Sequence, residues 1–183
     1  MHTREELTEA ALGYVFAHGL LNLSLRPLAA AVGTSDRMLI YHFGSKARLI
    51  ADVLELANRR VSEGMGDFAA TARTPQQVVE RAWQLMTAPQ TDALARLYLE
   101  LCALSVRDGA RWAPAHRKLR ERWLDLLHRR LVALKVPGRR ATVLATLVLD
   151  TFDGLMLDRL VTGDAARVDA AARAFARLLA EPR

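Results

Sequence analysis

The residues best able to do chemistry lie between Ser24 and Lys46. Ser24, Ser35 and Ser45 each stand just before an apolar-periodic run, where a serine hydroxyl can accept from the first free N–H groups of a helix. The run from Leu25 to Val32 is followed by Gly33-Thr34-Ser35 and then by Asp36 to Phe43. Leu28, Val32, Leu39 and Phe43 fall on one inward face, and Ala29 is small enough to let two helices approach closely. Arg37, Met38, Tyr41 and His42 are left for the opposite face. Two short helices across a tight glycine turn, preceded by a longer helix, form a helix-turn-helix, whose second helix can enter a DNA major groove. The chemistry on offer is therefore hydrogen bonding and apolar contact with base edges and phosphates, not bond making.

Little elsewhere points to catalysis. There is no Ser/His/Asp or Cys/His motif, no Gly-rich phosphate loop and no metal-ligand spacing among His2, His18, His42, His116 and His128. The single cysteine, Cys102, excludes an internal disulfide framework and reads as a small core residue among Leu101, Ala103 and Leu104. No enzyme activity, metal or cofactor is expected.

The elements that position the Ser24–Lys46 stretch are helical throughout, and an all-α fold of about nine helices is predicted. Their expected spans are 4–19, 25–32, 36–43, 46–65, 75–87, 91–107, 114–135, 139–162 and 165–180, punctuated by Gly19, Gly33, Gly44, Gly163 and by Pro75, Pro89, Pro114 and Pro137. In the first, Leu7, Ala11, Tyr14, Val15 and His18 share a face. Residues 1–46 form the expected helix-turn-helix domain and 47–183 a larger helical domain. The helix over 139–162 is apolar around most of its circumference, so it must be covered on several sides.

The chain has 183 residues, 51% of them hydrophobic and 25% charged, with a formal net charge of +6. That excess does not itself point to nucleic acid. Residues 1–50 carry a net +1, residues 51–110 a net −2 and residues 111–183 a net +7. With 23 arginines against 3 lysines, the C-terminal excess reads as codon bias on a solvated face. No apolar run is long enough for a membrane span and no leader is visible, so a reduced, cytoplasmic setting is expected.

The stretch SLRPLAAAVGTSDRMLIYHFGSKARLI, Ser24 to Ile50, resembles the DNA-binding segment of the TetR family of bacterial transcriptional regulators. The matches are Ser24, Leu28-Ala29, Val32-Gly33-Thr34-Ser35, Leu39, Tyr41-His42-Phe43 and Gly44-Ser45-Lys46, with Ala10-Ala11, Phe16 and His18-Gly19 before them. The resemblance implies that Ser24 and Lys46 hold DNA phosphates and that Tyr41 and His42 reach backbone and groove. Ser35, Arg37 and Met38 would meet base edges, Arg37 by matching a guanine bidentately. Arg26 joins this DNA-binding set. Ile40, Arg37 and Pro27 depart from the common pattern, which leaves the operator sequence open.

In the C-terminal domain, Trp83, Met86, Tyr98, Cys102, Trp123, Phe152 and Met156 are large or adaptable residues suited to an apolar pocket for a small-molecule effector. Leu144, Leu147, Thr151, Leu155, Val168, Ala172, Phe175 and Leu179 mark an expected homodimer interface built from the last two helices. Together these imply a transcriptional repressor released from a palindromic operator in double-stranded DNA by an effector. The alternative is a helical dimeric ligand-binding or adaptor protein that does not read DNA sequence.

Overall fold

A computed structural model of the chain describes residues 3–180, with backbone alone for 61–70 and for 180. Its described residues contain no strand. Helix α1 (Arg4–His18) begins at a capping box: the Thr3 hydroxyl accepts from Glu6 N–H, and the Glu6 carboxylate accepts from Thr3 N–H. There follow α2 (Leu25–Ala31), α3 (Asp36–Phe43), α4 (Lys46–Ala70) and α5 (Pro75–Met86), the last capped by the Thr74 hydroxyl. A single 3₁₀ turn, Pro89–Thr91, leads into α6 (Asp92–Arg107), and α7 (Gly109–Ala133), α8 (Gly138–Thr162) and α9 (Ala165–Ala180) complete the chain.

Two boundaries differ from expectation by five residues: α4 continues to Ala70 instead of ending at 65, and α7 begins early. Helix α7 starts five residues before Pro114, which lies inside it. Asp108 alone separates α6 from α7; its carboxylate accepts from Arg111 N–H at 3.3 Å and its carbonyl from Trp112 N–H at 3.1 Å. The Asp108-Gly109 pair is thus the true start signal. Proline is accommodated in the second turn at the loss of one backbone hydrogen bond.

The chain divides into two compact units. The first comprises the residues up to Val61 together with Arg96–Leu119. Residue 46, the expected end of the helix-turn-helix domain, is the first residue of α4. The core of this unit is built from Leu7, Ala11, Leu12 and Val15 of α1, Leu28 and Ala29 of α2, Leu39 and Phe43 of α3, and Leu49, Ile50, Val53 and Leu54 of α4, with Leu97 and Leu101 of α6 and Trp112 and Leu119 of α7 also buried. Tyr14 and His18 do not share that buried face; they stack on each other on its flank, centroids 3.9 Å apart. Arg4 pairs with Asp52 at 2.6 Å and Arg60 with Glu9 at 2.6 Å, linking α1 to α4; these exposed pairs add little stability.

The second unit comprises Ser62–Ala95 and the chain from Arg120 onward. Here α9 packs against both α5 and α8. Val78, Val79, Ala82 and Trp83 of α5, Val148, Phe152 and Met156 of α8, and Val168, Ala172 and Ala176 of α9 are buried. The Trp83 ring lies 5.1 Å from Phe152, and Phe152 lies 6.5 Å from Phe175. Asp169 accepts from the Trp83 indole N–H at 3.0 Å and pairs with Arg159 at 2.8 Å, so the polar edge of that aromatic cluster is satisfied. Asp153, set in an apolar stretch of α8, is an anchor: with Asp150 it holds the half-buried Arg120.

Val143, Leu147, Leu157 and Val161 form an exposed apolar line along α8, and Leu178 is exposed on α9. Val168 and Ala172, expected on a dimer face, are instead consumed inside the unit where α9 meets α5 and α8. Their burial corrects that part of the expected interface. Leu144, Thr151, Leu155, Phe175 and Leu179 are half-buried.

Candidate nucleic-acid interface

Helix α2 ends in a Schellman motif. Gly33, at φ +72°, donates to Ala30 O at 3.3 Å, and Thr34 N–H donates to Ala29 O at 2.9 Å. Glycine holds that left-handed position without a Cβ penalty, which turns the chain sharply from α2 into α3. Ser35 then caps α3, its hydroxyl accepting from Met38 N–H at 3.2 Å. Leu39 and Phe43 anchor α3 in the core, at 0% and 2% exposure.

That anchoring decides which side chains face outward. Tyr41 is 78% exposed, Arg37 is exposed and Met38 is half-buried. An aromatic ring this open fills no core. His42 is half-buried, its Nε2 is enclosed without a hydrogen-bond partner among the described residues, and its ring stands edge-on to Tyr41 at 5.2 Å. Ser24 occupies the N-cap position of α2, but its hydroxyl makes no cap hydrogen bond and is exposed, as is Arg26. An uncommitted hydroxyl at a helix start suits a phosphate oxygen. Ser35, by contrast, has its hydroxyl committed to the cap.

Lys46 opens α4, with Ser45 accepting from Arg48 N–H at 3.2 Å. The Lys46 ammonium donates to Leu23 O, so it also closes the connection between α1 and α2. Burial, aided by the positive charge of Arg111, pushes its pKa below the ordinary lysine range.

Two residues that sequence reasoning missed complete the support. The Glu100 carboxylate of α6 accepts from the backbone N–H groups of Leu20 and, at 3.2 Å, of Leu21. It thereby holds the front of the α1–α2 connection whose far end Lys46 holds. Arg111 stacks over Trp112, 5.1 Å from the ring centroid. Neither residue carries a local motif, since Glu100 acts on a segment about 80 positions away and Arg111 on Lys46, 65 positions away.

The effector set falls in both units. Tyr98 and Cys102 belong to the first, where the Tyr98 hydroxyl lies 3.3 Å from His116 Nε2 and the two rings stack at 5.6 Å. Trp83, Met86, Trp123, Phe152 and Met156 belong to the second. Met86, Tyr98, Cys102 and Trp123 are half-buried, whereas Trp83, Phe152 and Met156 are buried. Phe152, at 0%, has no face that a water-sized molecule reaches, and packs here as core between Trp83 and Phe175.

Residues 7–53 match the family model described as bacterial regulatory proteins, tetR family. No curated protein matches the chain. Among solved structures, a TetR-family transcriptional regulator from a Rhodococcus species is similar at a TM-score of 0.77 and 16% identity, over 97% of this chain and 98% of that one. The multidrug binding protein EbrR, complexed with imidazole, is similar at 0.73 and 22%, over 100% and 97%. A transcriptional regulator from Saccharomonospora viridis in complex with choline is similar at 0.72 and 18%, over 95% and 93%. At these identities the likeness is one of fold.

Proposed function

We propose that this chain, which carries in residues 7–53 the N-terminal domain of the tetR family of bacterial regulatory proteins, is a DNA-binding transcriptional repressor acting as a homodimer. The observation that carries this reading is the outward face of α3, where Tyr41 and Arg37 stand exposed beside a core-anchored Leu39 and Phe43. The exposed Ser24 hydroxyl and the Lys46 ammonium flank it as phosphate contacts. Arg26, Ser35 and Met38 complete the proposed surface, with His42 at its edge. DNA-facing residues end at Lys46, and the remaining chain serves effector binding and dimerisation.

A second copy is the natural cover for the exposed Val143, Leu147, Leu157 and Val161 line of α8. Two recognition helices would then meet successive major-groove half-sites of a palindromic operator about 34–36 Å apart. Release by a small molecule is supported by the imidazole and choline found in similar structures. Within the first unit, the half-buried Tyr98 and Cys102 would meet such an effector, the Tyr98–His116 pair supplying a polar handle. An effector must bind one conformation more tightly than the other to work this way.

A gel shift against duplexes selected by the protein from a randomised pool tests the reading. Tyr41→Ala should lose binding while remaining dimeric, because its side chain supports no core. Leu157→Glu should lose binding by becoming monomeric in size-exclusion chromatography. Retained sequence-specific binding by Tyr41→Ala would refute the assigned face, and failure to enrich any duplex would favour the adaptor alternative.

A further inference from the structure

Ile40 is 41% exposed, although it is a β-branched aliphatic residue in a helix whose core face is already filled. Residues of a helix turn by about 100° each. Measured from the line through buried Leu39 and Phe43, Ile40 lies about 80° round, Arg37 about 140° and Tyr41 about 180°. Ile40 therefore begins a continuous outward arc that runs through Arg37 to Tyr41. It has no donor, acceptor or charge, so it can serve neither a phosphate nor a polar base edge. In the free protein its exposure stabilises nothing.

Among the groups displayed in a major groove, one is apolar: the C5-methyl of thymine. We infer that Ile40 reads a thymine methyl, making it a specificity-determining residue of α3. The inference rests on the DNA-binding reading above and adds a base identity to it. Ile40 and Arg37 stand three positions apart, with Cβ atoms about 5–6 Å from one another. Bases along a strand are spaced about 3.4 Å apart. The thymine should thus fall within about two base pairs of the guanine that Arg37 addresses, once in each half-site.

Deoxyuridine lacks only that methyl, which makes it the direct probe. Each thymidine of a duplex enriched from a randomised pool is replaced in turn by deoxyuridine, and affinity is read by fluorescence anisotropy at fixed salt. For the native protein, one position per half-site should cost about fourfold, the value of one buried carbon. Ile40→Ala should bind the thymidine duplex more weakly and lose less than about twofold on the same replacement, and Ile40→Val should restore most of the sensitivity. An unchanged deoxyuridine penalty in Ile40→Ala, or no penalty anywhere with the native protein, overturns the inference while leaving DNA binding intact. An equal loss by Ile40→Ala on every duplex, insensitive to deoxyuridine, assigns the side chain to a deoxyribose instead and overturns it too. A pool that yields no enriched duplex overturns both this inference and the reading beneath it.

Discussion

Replacing Glu100 by alanine should destabilise the first unit out of proportion to the residue's half-exposed position. Its Oε2 accepts from two backbone N–H groups. Leu20 is 1% exposed, so its N–H has no water to turn to once the carboxylate is gone, whereas Leu21 is exposed and its N–H rehydrates. An orphaned, formerly charge-assisted partner costs about 2–3 kcal/mol. Glu100→Gln keeps an acceptor without the charge and should cost about half as much. For a chain of this size, about 2 kcal/mol corresponds to a Tm lowered by roughly 4–8 °C. Gly19 provides the internal control. Its φ of +73° and ψ of −175° lie in a region open essentially to glycine, and a Cβ there would stand 2.8 Å from Glu100 Oε1. Gly19→Ala should therefore cost about 1–3 kcal/mol of backbone strain, and in addition push the carboxylate off Leu20 and Leu21. In the Glu100→Ala background only the strain remains. A double-mutant cycle in urea, followed by far-UV circular dichroism, should return a coupling of about 2 kcal/mol. Additivity within about 0.5 kcal/mol would refute the reasoning, because the two residues would then not share those hydrogen bonds.

The two serine caps should separate cleanly. Ser35→Ala removes a hydroxyl that caps α3 and should cost about 1 kcal/mol in urea unfolding, whereas Ser24→Ala, whose hydroxyl makes no cap bond, should leave stability within about 0.5 kcal/mol and lower DNA affinity in the gel shift. Lys46 should titrate below the ordinary lysine range in protein carrying ¹³Cε-labelled lysine, which gives only three resonances. Arg111→Ala should bring it part of the way back, since burial is the larger cause and persists. The sign for stability follows: with the folded pKa lowered, the unfolded chain holds more protons between that value and the ordinary lysine pKa. Lys46's contribution to stability therefore rises with pH through that window, and its destabilising cost is fully present below it. Lys46→Met should abolish this alkaline rise in the unfolding free energy.

Much of the site was legible because its signals are local. A cap, a glycine after a helix and an i, i+4 apolar pair are all written within a few residues, and they located α2, the Gly33 turn and α3 to within a residue or so. The same locality explains the misses. Pro114 suggested a start because proline favours first turns, but Asp108 supplied the real cap and the helix tolerated the lost hydrogen bond. Val168 and Ala172 have the apolar spacing expected of any packed face. Periodicity reports that a face is buried without saying whether the chain itself or a second copy buries it.

Tyr14 and His18 show the converse, two residues of the apolar periodicity that leave the core and stack on each other. The α1–α2 connection was the least legible part and bears most directly on the site. Residues Leu20 to Leu23 contain no motif, yet Glu100 accepts from the front of the segment and Lys46 donates to its end. The segment leads directly into Ser24 and α2, against which α3 is packed. A shift of α6 that withdrew Glu100 would therefore act first on the start of α2. It would reach Arg37, Ile40 and Tyr41 only through the Schellman turn at Gly33. That turn is backbone-bonded at both of its positions and so is suited to pass on a displacement without absorbing it.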